Sequence, residues 1–164
     1  SALDVKLRKE LRREISRIQK ETGVTAIYVT HDQEEAMSIS DRIAVMDKGL
    51  IRETGTPEQL YASPSDIFTA GFVGTMNLVT VFSDGKETRL AFRPEACSAV
   101  EQDGCGSLIC ENIRIVSCEY RGGYYSCEGL SEKDELIIFY SPHKHPRGQK
   151  INLKVDESRI IMRL

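Results

Sequence analysis

The sequence predicts two unlike parts, an α/β portion over residues 1–74 and an all-β small barrel or sandwich over residues 75–164. Three observations carry this division. A helical apolar stripe is followed at once by a continuous β-branched run at 24–29. Beyond about Asn77, short alternating runs recur between turn signals with no helical run among them. All five cysteines, Cys97, Cys105, Cys110, Cys118 and Cys127, fall in the second part.

Leu7, Leu11, Ile15 and Ile18 recur at helical spacing and predict a helix over 4–22, ended by Gly23. Ser1 and Asp4 stand where capping residues belong. The helix carries seven Lys or Arg and, with Asp4, four acids. That mixture reads as a solvated outer face with the pairs Lys6–Glu10 and Arg17–Glu21. Residues 24–29 (VTAIYV) are apolar on both faces and predict a strand covered on both sides. Thr30-His31-Asp32 closes that run, and Asp32 opens a short helix over 32–39. Residues 42–47 and 50–54 predict a hairpin about Lys48-Gly49. Thr56 caps a helix that has Pro57 in first place, Ser63-Pro64 interrupts it, and 65–71 continues helically. In the second part, strands are expected near 78–82, 88–92, 107–120, 123–128, 134–140, 149–156 and 159–163. They are punctuated by 83–86, Gly104 and Gly106, Gly122-Gly123, and 142–146.

Composition narrows the function. A net charge of -3 argues against a general nucleic-acid binder. The longest apolar run, 136–140, is far short of the ~20 residues of a membrane span. No apolar leader segment is visible. The cysteines are odd in number and lack C-x-x-C spacing, so they read as reduced, buried thiols with neither zinc nor disulfide. His143 and His145 form an H-x-H that reads as a polar turn, and no metal site is expected.

Two stretches carry a resemblance. Ser1-Ala2-Leu3-Asp4 resembles the D-loop of the ATPase subunits of ABC transporters. The string Thr30-His31-Asp32-Gln33-Glu34-Glu35-Ala36 resembles their switch-histidine loop, one helix and one strand downstream. Asp41–Met46 and the hairpin ending Gly55-Thr56-Pro57-Glu58 are similar to the end of the same ATPase domain. Phe72-Val73-Gly74, Asn77 and Arg93-Pro94-Glu95 resemble the opening of the OB-like (TOBE) regulatory domain found in importers of the maltose, polyamine and ferric-iron type.

The departures are as informative. There is no G-x-x-x-x-G-K-[ST] and no L-S-G-G-Q. The chain is therefore expected to be the C-terminal part of a longer subunit, inactive alone and without a cofactor of its own. The resemblance implies that the full-length subunit uses ATP and Mg²⁺, with His31 at the γ-phosphate as the catalytic residue. Ser1 and Asp4 would support the nucleotide across a homodimer. The implied partners are a second ATPase subunit, transmembrane permease subunits and, indirectly, a solute-binding protein, at the cytoplasmic face of the membrane; no nucleic acid is implied. Glu34 and Glu35 are expected to be packing or surface groups. The cargo leans toward polyamine, iron or another small ion rather than sugar. The alternative function is a non-enzymatic β-barrel module that binds a ligand or regulator.

Overall fold

Helical spacing from Leu7 to Ile18 is realised in one long helix, α1 (Ala2–Thr22). It ends at Gly23, whose φ of 68° suits a residue without Cβ and whose N–H returns to Gln19 O at 2.9 Å. The computed structural model describes residues 2–83, 86–100 and 108–164, with side chains for all of these except 2–5, 82–83 and 108. The expected roles of Ser1 and of the Asp4 side chain, the turn at Asp84-Gly85, and Gly104, Cys105 and Gly106 lie outside the described residues. The chain divides into two compact units, Ser1–Gly74 and Thr75–Leu164.

In the first unit, α1 is followed by α2 (Gln33–Ile39), then by β1 (Ile43–Asp47) and β2 (Leu50–Gly55), then by α3 (Pro57–Ala62) and α4 (Ile67–Phe72). The β1–β2 hairpin turns where expected, with Lys48 at φ 50° and Gly49 at φ 79°. Two successive positive φ angles give the turn whose twist matches that of the strands. Thr56 and Gln59 form a reciprocal capping box on α3. Asp66 caps α4 by accepting from Thr69 N at 2.6 Å. Val45, Leu60 and Val73 make a small buried core. The pairs Lys6–Glu10 (3.9 Å) and Arg17–Glu21 (2.6 Å) are both present.

The expected strand at 24–29 is not formed. This stretch has no regular secondary structure; β1 and β2 pair only with each other, and no described strand flanks it. A strand exists only where a neighbour supplies the ladder, and among the described residues neither β1 nor β2 pairs with this stretch. Ile27 and Val29 are each 90% exposed. The apolar stripe of α1 is likewise uncovered, with Leu7 and Leu11 both 54% exposed. The partly buried side of α1 carries Arg12, Ser16 and Gln19 instead, roughly 110° round the helix from the stripe.

The second unit is antiparallel β. One sheet holds β3 (Asn77–Ser83), β4 (Lys86–Phe92) and β10 (Ile160–Arg163) in the order β10-β4-β3. The other holds β5 (Cys97–Val100), β6 (Leu108–Tyr120), β7 (Tyr125–Leu130), β8 (Leu136–Ser141) and β9 (Lys150–Val155) in the order β5-β9-β6-β7-β8. Alternation places Val79, Leu90, Phe92, Ile137, Phe139 and Leu153 in one core. The long strand β6 is bent by a register shift between Cys110 and Ile113, where Asn112 takes φ 56°. Strand β5 was not expected. It follows a one-turn 3-10 helix, Pro94–Ala96, and is too short for its alternation to stand out.

The two sheets are joined by side chains that imitate a ladder. Buried Asn77 donates Nδ2 to Ile138 O at 2.7 Å and accepts Ile138 N–H at Oδ1 at 2.8 Å. Glu135 accepts from both the backbone N–H and the hydroxyl of Thr80. Asn77→Ala is expected to cost about 3 kcal/mol, because it leaves two backbone groups of Ile138 without partners. A lowered urea midpoint would show it; an unchanged one would mean that water replaces the amide.

The cysteines need one correction. Cys118 and Cys127 lie directly opposite in the β6–β7 register and are joined as a disulfide. Cross-strand proximity, which linear spacing does not reveal, brings them together. Cys97 and Cys110 are free and buried as expected, and burial pushes both thiols up to about 12.

Candidate functional site around His31

The site begins where the apolar run at 24–29 leads into α2. Asp32 is the N-cap of α2, and its carboxylate accepts Glu35 N–H at 3.1 Å. The Thr30 hydroxyl accepts Asp32 N–H at 2.9 Å and donates to Glu35 Oε2 at 2.7 Å. The residues on either side of His31 are thus held, while His31 itself stays exposed.

Glu35 is the hub. Besides Thr30, it accepts from Arg12 Nη2 at 2.8 Å and from the Tyr28 hydroxyl at 3.3 Å. The Arg12 and Glu35 side chains are only 15% and 13% exposed. Arg12 Nη2 also lies 3.8 Å from Asp32 Oδ2, and Arg12 Nε is buried without a hydrogen-bond partner. The Thr30 hydroxyl and then the Arg12 guanidinium hold the Glu35 carboxyl below the usual range, against the cost of partial burial. Such a carboxylate is a hydrogen-bond acceptor and a weaker base than an ordinary one.

A groove of about 690 Å³ runs beside this turn, lined by Ile15, Ile27, Val29, His31, Ile39 and Asp41 among others. His31 fits a single contact to a phosphate, since an exposed imidazole can donate from one nitrogen. The rest of the groove mixes apolar side chains with Gln19, Gln33, Asp41 and Arg42, and it holds no glycine-rich phosphate loop.

Of the three expected site residues, His31 is on a held turn at the groove. Ser1 and the Asp4 side chain lie outside the described residues. Glu34 is exposed, as expected of a surface group; Glu35 is an organising acceptor, which sequence reasoning missed. Arg12, by sequence one of the solvated cations of the helix, is instead its inward charge. The usable signal was the polar face Arg12, Ser16, Gln19 at spacings of four and three, which the stronger apolar stripe concealed. In the second unit, His143 is exposed, and His145 lies half-buried with Nε2 2.9 Å from Ser141 Oγ and its ring against Phe139. Among the described residues, no helix is long and apolar enough to cross a membrane.

No protein-family model matches the chain. It is 55% identical over 175 residues to the spermidine/putrescine import ATP-binding protein of Clostridium novyi, an alignment covering 94% of this chain and 49% of that protein. With its counterpart in Thermobifida fusca it is 57% identical over 79 residues, 48% of this chain and 21% of that protein. With that of Bacillus anthracis it is 53% identical over 94 residues, 57% of this chain and 28% of that protein. The chain spans about half, or less, of the length of these relatives, and along nearly its whole length it is similar to an import ATP-binding protein of the spermidine/putrescine type.

Proposed function

We infer that the chain is the C-terminal part of the ATP-hydrolysing subunit of an ABC-type polyamine importer. Residues 1–74 belong to its ATPase domain and residues 75–164 form an OB-like (TOBE) regulatory domain. The observation that carries this is the Thr30-His31-Asp32…Glu35-Ala36 string, held as a capped turn with His31 left free to reach a ligand. The 55% identity to a polyamine-import protein supports the cargo class.

In the complete subunit, bound Mg-ATP supplies the phosphoryl group. His31 would donate a hydrogen bond to its terminal phosphate and so sense whether that phosphate is present. Ser1 and Asp4 would reach across a homodimer toward the partner's nucleotide. The assembly would couple to transmembrane permease subunits at the cytoplasmic face of the membrane, with a solute-binding protein acting indirectly. A module that only bound a ligand or regulator through its β-barrel would have no use for the histidine string.

The 164-residue chain alone is expected to bind Mg-ATP negligibly. The His31 hydrogen bond contributes about 1 kcal/mol, or roughly 3 if charge-assisted, whereas millimolar affinity already requires about 4 kcal/mol. Calorimetry tests this against a subunit of the relatives' full length, which should bind. Micromolar Mg-ATP binding by the short chain would overturn its assignment as an inactive part, and failure of the long one to bind would overturn the ATPase assignment.

A further inference from the structure

We propose that Glu35, anchored by Arg12, is a positioning residue that holds the Thr30–Asp32 turn and thereby aims His31. The proposal takes the phosphate contact of His31 from the function inferred above and adds what orients it. Glu35 is joined to the turn from three directions. Its carboxylate takes the Thr30 hydroxyl at 2.7 Å and the Tyr28 hydroxyl at 3.3 Å, and its own N–H is held by Asp32 at 3.1 Å. Thr30 in turn holds Asp32 N–H at 2.9 Å, closing a loop of hydrogen bonds around His31. Nothing in that loop uses the imidazole, so the ring is left for a ligand.

The loop is also tied to α1. Arg12 supplies the tie, with Nη2 2.8 Å from Glu35 Oε1. The pair links positions 12 and 35 at a side-chain exposure of 15% and 13%. Charge-assisted bonds at such sites are shorter and stronger than neutral ones and are little screened by salt. The same network holds residues 28 and 30, which frame the end of the apolar run, so the histidine is placed relative to both the helix and the groove. A direction at His31 is thus set by a carboxylate four residues along the chain and a guanidinium nineteen residues back.

Amide hydrogen exchange on the ¹⁵N-labelled 164-residue chain tests this without nucleotide. In Glu35→Ala, the Asp32 and Glu35 amides should exchange about tenfold faster or more, while amides in the middle of α1 keep their protection. Glu35→Gln still accepts from Thr30 and should recover part of that protection; Arg12→Leu should lose it as Glu35→Ala does. Unchanged protection at Asp32 and Glu35 in Glu35→Ala would overturn the proposal, as would equal loss throughout α1, which marks a merely structural role. In a subunit of the relatives' full length, Glu35→Ala should lower kcat about tenfold with KM for ATP nearly unchanged; unchanged kcat would also overturn it. Undiminished turnover in His31→Ala would instead overturn the phosphate contact, a result separable from the exchange data on the short chain.

Discussion

His31→Ala, made in a subunit of the relatives' full length, is expected to lower ATP hydrolysis by roughly 10²–10³ while nucleotide affinity changes by no more than a few fold. The magnitude is typical of removing one preorganised donor from the place where charge rearranges in a transition state. The split between rate and binding follows from where each is sustained. Ground-state affinity for a nucleoside triphosphate rests mainly on a backbone cradle around the β- and γ-phosphates, which residues 1–164 do not contain. The single imidazole at the end of the Thr30–Asp32 turn acts on the terminal phosphate only. Steady-state hydrolysis together with equilibrium nucleotide titration measures both. Equal losses of binding and turnover would make His31 a structural residue.

The second large effect concerns the apolar run at 24–29. The 164-residue chain is expected to self-associate through it. Ile27 and Val29 present one face at 90% exposure each, Val24 and Tyr28 are about half exposed, and no described strand pairs with the backbone between them. An apolar, β-branched segment that no strand pairs with is a template for a second copy of itself. Covering one Ile or Val side chain contributes about 1.5–3 kcal/mol, so pairing two copies gains several such terms besides the ladder. Light scattering after size exclusion should find a species larger than a monomer for the whole chain. A version starting at Thr75 should run as a monomer, since its core is closed within residues 79–155. Ile27→Lys with Val29→Lys should return the whole chain to a monomer. A monomeric wild-type chain with protected amides at 24–29 would contradict the expectation.

Local chemistry was legible wherever it was local. The Lys48-Gly49 turn, the caps at Asp32 and Thr56, the Gly23 stop and the ion pairs of α1 each depend on residues within a few positions, and each is where the sequence predicts it. Some strands of the second unit were legible for a similar reason: Ile113 and Ile115 about Arg114, and Leu153 and Val155 about Lys154, announce their face by period two, whereas the unbroken apolar run 136–140 does not. The four-residue strand β5 was not, because so short a run has no period to read.

Residue order alone set which segments have an apolar face, where the turns and caps fall, and that a histidine ends an apolar, β-branched run. Tertiary structure alone decided what those faces meet. It left 24–29 unpaired because a ladder needs a second strand. It turned the polar side of α1 inward because Arg12 found a carboxylate at Glu35, and it joined Cys118 to Cys127 because the β6–β7 register sets them opposite. Pairing, salt bridging and register are properties of two distant stretches at once, and linear spacing holds only one of them at a time.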